Sequence, residues 1–95
     1  MVDSMADKIR CAHILVKSEA QANEILEKIK AGEKFSALAQ QYSLDGSARH
    51  GGDLGVFGRG VMVREFERAA FALNKGEVSG IVKTQFGYHI IKRLE

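Results

Sequence analysis

Six of the chain's ten glycines fall between Asp45 and Gly60, and a strongly patterned stretch follows at once: Gly51 to Phe71 reads GGDLGVFGRGVMVREFERAAF. Glycine lets the backbone reach positive φ and approach other groups closely, but it weakens helices and strands. This segment therefore reads as a loop held by its flanks. Loops on a rigid scaffold are where binding and catalytic groups usually sit. The scaffold must be small: 95 residues with 45% apolar content make one domain with one core. We assign residues 8–95 to that domain and residues 1–7 to a tail.

Lys8 to Lys17 (KIRCAHILVK) alternates and is rich in Ile, Leu and Val, which predicts a strand. A two-residue period puts Ile9, Cys11, His13 and Leu15 on one face and Ala12, Ile14 and Val16 on the other. Both faces are largely apolar, so the strand should be central. Ser18-x-x-Gln21 is a capping-box signature. Ala22, Ile25, Leu26 and Ile29 continue at helical spacing until Gly32. Phe35, Leu38, Ala39 and Tyr42 mark a second helix, ending near Ser43 before the turn dipeptide Asp45-Gly46. A brief strand is expected over Leu54 to Phe57, and a helix from about Arg64 carries Phe66, Ala69, Ala70 and Leu73. Val78 to Lys83 and Tyr88 to Leu94 read as a closing hairpin through Thr84-Gln85-Phe86-Gly87. Strands at both ends with helices between predict an α+β fold, a mostly antiparallel sheet covered by helices. The two terminal strands are the most apolar and should lie side by side, bringing His13 and His89 face to face.

Several chemistries find little support. No stretch approaches the roughly 18 apolar residues of a membrane span, and the N-terminus lacks the apolar run of a secretory signal. The 14 basic and 12 acidic residues are dispersed, unlike the clustered cations of nucleic-acid binders. His13, His50 and His89 lack the i, i+4 spacing of a helix-borne zinc site. Cys11 shares a strand face with His13, but a lone thiol in an apolar strand is more often a small core residue. The glycines match neither a phosphate loop nor a dinucleotide fingerprint. What remains is two histidines on buried strands, a loop carboxylate at Asp45 or Asp53, and an apolar set of Leu54, Phe57, Met62, Phe66 and Phe86.

HILVK (His13 to Lys17), GGDLGVFGRG with Met62 and Phe66 after it, FALNKGEVSGIV (Phe71 to Val82) and QFGYHIIKR (Gln85 to Arg93) together resemble the parvulins, which are peptidyl-prolyl cis/trans isomerases. The resemblance runs from about Lys8 to Glu95. It implies the parvulin, FKBP-like fold: a four-stranded antiparallel sheet surrounded by about four helices. It also implies a site in which His13 and His89 are the paired histidines, Thr84 bonds within their network, and Asp45 takes a position held in some members by cysteine. Leu54, Met62 and Phe66 would receive the proline ring. Phe86 stands where phospho-specific members carry a small polar residue. Those members also insert a basic loop after the first strand, whereas here Val16-Lys17-Ser18 runs straight into a helix. The resemblance thus implies isomerisation of Xaa-Pro bonds that does not depend on phosphate, assisting protein folding, with proline-containing polypeptides as partners and no metal or cofactor. The alternative is a non-catalytic module that holds unfolded or proline-containing segments.

Further expectations follow. The glycine-rich loop should leave room for a substrate backbone. Phe66→Ala should remove the ring anchor while leaving the fold intact. A free-standing, cytoplasmic monomer is expected, the alternative being a domain of an exported foldase.

Overall fold

The computed structural model describes residues 7–95, so the expected tail lies outside the described residues but for Asp7. Its strands are β1 (Lys8–Val16), β2 (Asp53–Gly58), β3 (Val82–Thr84) and β4 (Gly87–Arg93). The helices are α1 (Glu19–Lys30), α2 (Phe35–Tyr42) and α3 (Arg64–Ala72), with a 3₁₀ turn over Gly46–His50. The strands form one antiparallel sheet in the order β2-β1-β4-β3. The first and last strands are the central pair, as their apolar sequences require.

β1 is buried on both faces, and its two faces serve two cores. Ala12, Ile14 and Val16 pack with Ala22 and Ile25 of α1, Leu38 and Ala39 of α2, and Ile90. Ile9 and Cys11 pack on the other side with Phe57, Phe66, Ala70, Phe71 and Ile91. Each large side chain so buried contributes about 1.5–3 kcal/mol. The sheet thus lies between the α1–α2 layer and α3.

Local signals act where the sequence places them. The Ser18 hydroxyl accepts from the Gln21 N–H at the start of α1, and Gly32 follows its end at φ +100°. Three α-helices and one 3₁₀ turn, among the described residues, account for the expected helical surround.

The hairpin departs from expectation in one respect. The strand predicted over Val78 to Lys83 is reduced to Val82–Thr84, with an isolated bridge from Val78 to Lys92. Ser79 interrupts the ladder. Its N–H donates to the Ile91 carbonyl at 2.7 Å, but the Ile91 N–H goes to the Ser79 hydroxyl at 2.9 Å rather than to a backbone carbonyl. Beyond Gly80 the ladder resumes, and Thr84 pairs with Gly87 across a two-residue turn, Gln85-Phe86.

Candidate active site

The register of β1 on β4 sets His13 opposite Ile91 and Leu15 opposite His89. His13 and His89 are therefore diagonal neighbours on one sheet face, within reach of each other's side chains. Both are buried, at 4% exposure. Their rings stack with centroids 5.2 Å apart, and Nδ1 meets Nδ1 at 3.0 Å. Phe66 presents its ring edge-to-face to both imidazoles, with centroids 5.4 Å away in each case.

The network continues at either end. His89 Nε2 lies 2.7 Å from Thr84 Oγ1, which also accepts the Phe86 backbone N–H at 3.1 Å. His13 Nε2 lies 3.2 Å from Asp45 Oδ2, off line for a formed hydrogen bond but close enough for strong attraction. The Asp45 end fixes the direction of the protons along the network. A carboxylate can only accept, while the Thr84 hydroxyl, with one proton and two lone pairs, takes the Phe86 N–H and keeps its proton free to donate. Thr84 therefore donates to His89 Nε2, His89 Nδ1–H donates to His13 Nδ1, and His13 carries its proton on Nε2, toward Asp45. The opposite tautomers would set a bare nitrogen lone pair against a carboxylate.

Electrostatics agree with that assignment. Burial lowers the basicity of His13, although Asp45 opposes the shift. His89 is lowered to about 4, first by burial and then by the charge His13 would carry. Both rings are therefore neutral near pH 7. Asp45 caps the 3₁₀ turn, accepting the Ser47 N–H at 2.9 Å and the Ser47 hydroxyl at 2.5 Å. Burial pushes its carboxyl up, but Ser47 and His13 together outweigh burial and bring it down to about 2. An anion thus stands beside two neutral imidazoles.

In front of this floor opens a cavity of about 310 Å³, lined by His13, His89, Asp45, Leu54, Met62, Phe66 and Phe86, together with Leu15, Val61 and Val63. The expected site residues are gathered here, except Thr84, which supports His89 from behind. Leu15, Val61 and Val63 add to the expected lining. Leu15 was accessible to the two-residue period, since it shares a strand face with His13. Ser47, which holds Asp45, carried no sequence signal beyond its closeness to the turn.

Other candidates fall elsewhere. Asp53, the second loop carboxylate considered, pairs with Arg10 and takes the Gly55 N–H. Phe57 sits in the core against Phe66 and Phe71 rather than in the cavity wall. His50 lies exposed at the end of the 3₁₀ turn. Cys11 is fully buried, and burial pushes its thiol up to about 11, which suits packing and not nucleophilic attack.

Gly46, Gly55 and Gly60 of the loop face open space, whereas Gly51 and Gly52 press against the protein's own chain. A Cβ on Gly52, at φ +84°, would stand 2.3 Å from the His13 carbonyl oxygen, and one on Gly51 2.8 Å from Ser36 Cβ. The His13 N–H donates to the Gly52 carbonyl at 3.0 Å. Glycine here lets the loop press against the strand that carries His13.

Comparison with known proteins agrees with this geometry. The family described as the PPIC-type PPIase domain matches residues 1–95. The chain is 59% identical over 91 residues to the foldase protein PrsA of Geobacillus kaustophilus, covering 95% of this chain but 32% of that protein. It therefore spans about a third of the length of such curated relatives. Two solved structures are matched nearly end to end. NmPin, the parvulin of Nitrosopumilus maritimus, is 54% identical with a TM-score of 0.85, covering 95% of this chain and 98% of that one. CsPin of Cenarcheaum symbiosum is 60% identical with a TM-score of 0.83, covering 96% and 95%. A four-stranded sheet with paired histidines beneath an apolar cavity, matched by sequence and by fold, places the chain in the PPIC-type PPIase, or parvulin, domain family.

Proposed function

We propose that this chain is a peptidyl-prolyl cis/trans isomerase that acts on Xaa-Pro bonds without requiring phosphate and so assists folding. The observation that carries the reading is the apolar cavity lying directly against the buried, neutral histidine pair.

Rotation about a peptide bond faces a barrier of about 18–20 kcal/mol because resonance stiffens C–N. Lowering it requires no covalent step and no cofactor, only a site that holds the twisted amide better than either planar form. Leu54, Met62 and Phe66 anchor the proline ring while the carbonyl side turns. The cavity excludes water that would otherwise hydrogen-bond the carbonyl and favour its charge-separated planar form. Asp45, held anionic beside His13, disfavours negative charge on a nearby carbonyl oxygen and so opposes the planar form further. His13, His89 and Thr84 fix the floor and its polarity. Each ~1.4 kcal/mol of preference for the twisted amide is worth about tenfold in rate.

Phosphate independence is supported at the end of β1. Lys17 is followed at once by the α1 cap Ser18, with no inserted basic loop, and Phe86 closes the cavity where a polar residue would suit a phosphate. A second reading, a holding module for unfolded chains, draws support from the exposed apolar side chains of Val61 and Phe86 on the cavity wall. Protease-coupled assays on short Xaa-Pro peptides separate the two. An isomerase accelerates exchange above the spontaneous rate, and a holding module binds without doing so.

A further inference from the structure

Phe86 stands at the tip of the β3–β4 hairpin, 48% exposed, with its side chain on the cavity rim. Residues at such tips commonly leave their backbone groups to water, but those of Phe86 are both engaged. Its N–H donates to Thr84 Oγ1 at 3.1 Å, and its carbonyl accepts from Lys17 Nζ at 2.7 Å. The following residue is also seated against β1. A Cβ on Gly87, at φ +139°, would stand 2.6 Å from the Val16 carbonyl oxygen, so glycine lets the tip rest on the strand end. Lys17 reaches the tip because Val16 pairs with Tyr88 across the sheet, which brings the end of β1 beside the start of β4.

We infer that Lys17 is a positioning residue for specificity: its ammonium holds the Phe86 carbonyl, so that the Phe86 ring stands as a fixed wall for an apolar residue preceding proline. The inference rests on the isomerase site proposed above and deepens it. A cation at the end of the first strand is where a phosphate reader would be sought. Here the ammonium's charge-assisted bond goes to a backbone carbonyl of the protein's own hairpin. The residue left over from the absence of a basic loop thus acts in the opposite sense, supporting apolar recognition.

The test uses Lys17→Met, Lys17→Arg, Phe86→Ala and the Lys17→Met/Phe86→Ala pair. Dissociation constants come from NMR titration with peptides carrying Gly, Leu or phosphoserine before proline, and kcat and KM are measured alongside. Lys17→Met should weaken binding of the Leu-Pro peptide by roughly three- to tenfold, the range of one net hydrogen bond, with a smaller effect on Gly-Pro and on kcat. Lys17→Arg should restore it. In the Phe86→Ala background the Leu-Pro effect of Lys17→Met should disappear. Equal weakening for all peptides, or an undiminished effect without the Phe86 ring, would overturn the inference. So would a preference of the unaltered chain for phosphoserine that Lys17→Met abolishes. The titrations judge Lys17 whether or not catalysis occurs. The expected binding pattern without any rate enhancement would uphold Lys17 and refute the isomerase reading alone.

Discussion

Thr84→Val is the sharpest probe of the site, because it changes shape little and removes a hydroxyl that makes two hydrogen bonds. Thr84 is buried at 7% exposure, with Oγ1 2.7 Å from His89 Nε2 and 3.1 Å from the Phe86 nitrogen. Valine leaves His89 Nε2 buried without a partner in either tautomer. An unsatisfied buried polar group costs about 1–3 kcal/mol. The Phe86 N–H, at the half-exposed tip, can be rehydrated, so one such cost is expected and not two. Against a typical stability of about 5–15 kcal/mol the variant still folds, with a lower urea midpoint. The proton order of the pair also loses the donor at its Thr84 end. Ring-nitrogen spectra of both histidines should change, and kcat/KM should fall by about tenfold if ~1.4 kcal/mol of the site's preference is lost. Thr84→Ser, which keeps the hydroxyl, should recover most of both. An unchanged midpoint together with unchanged ring nitrogens in Thr84→Val would refute the directed network.

Three other outcomes follow. His89 is held near 4 in the fold against an ordinary value of 6.5, so the unfolded chain binds the proton more readily. The stability this ring contributes is complete above about pH 6.5 and is lost as pH falls toward 4, about 3 kcal/mol in all; His13 acts in the same direction. Urea midpoints that stayed level from pH 7 to 4 would contradict a neutral pair. Gly52→Ala forces a side chain into positive φ and into the His13 carbonyl, so we expect a loss of at least about 2 kcal/mol, read by thermal unfolding; a variant as stable as the parent would mean that the loop does not bear on β1. Phe66→Leu should raise KM for Xaa-Pro peptides several-fold while circular dichroism shows an intact fold, and unaltered kinetics would exclude Phe66 as the ring anchor.

The choice of leucine there reflects what the sequence left hidden. Phe66 was read as a pocket residue whose loss would spare the fold, but it is 2% exposed and packs on Phe57 as well as on both imidazoles. Phe→Ala in a core costs about 3–5 kcal/mol, enough to endanger a domain of this size. Periodicity finds apolar positions, but it cannot divide one side chain between core and cavity. The His13–His89 meeting was legible because strand period and apolar richness together place β1 beside β4. Ser79 was not, because a serine hydroxyl replacing a ladder carbonyl leaves no mark in a pattern of apolar residues. Nor was the use made of Lys17, since a bond from an ammonium to a backbone carbonyl depends on which strand ends adjoin. The glycines were correctly seen as a place of close approach. What they approach, the backbone of His13, follows only from the packing of the loop on β1.

The central pairing of β1 with β4 also bears on how the molecule comes into being. β1 cannot acquire its inner neighbour until residues 87–93 have left the ribosome, so the imidazole pair is assembled only after every other strand of the sheet has been made. Contacts this distant along the chain slow folding. With no proline in the sequence, however, the slow rotation this family accelerates in other chains is not among the delays it meets.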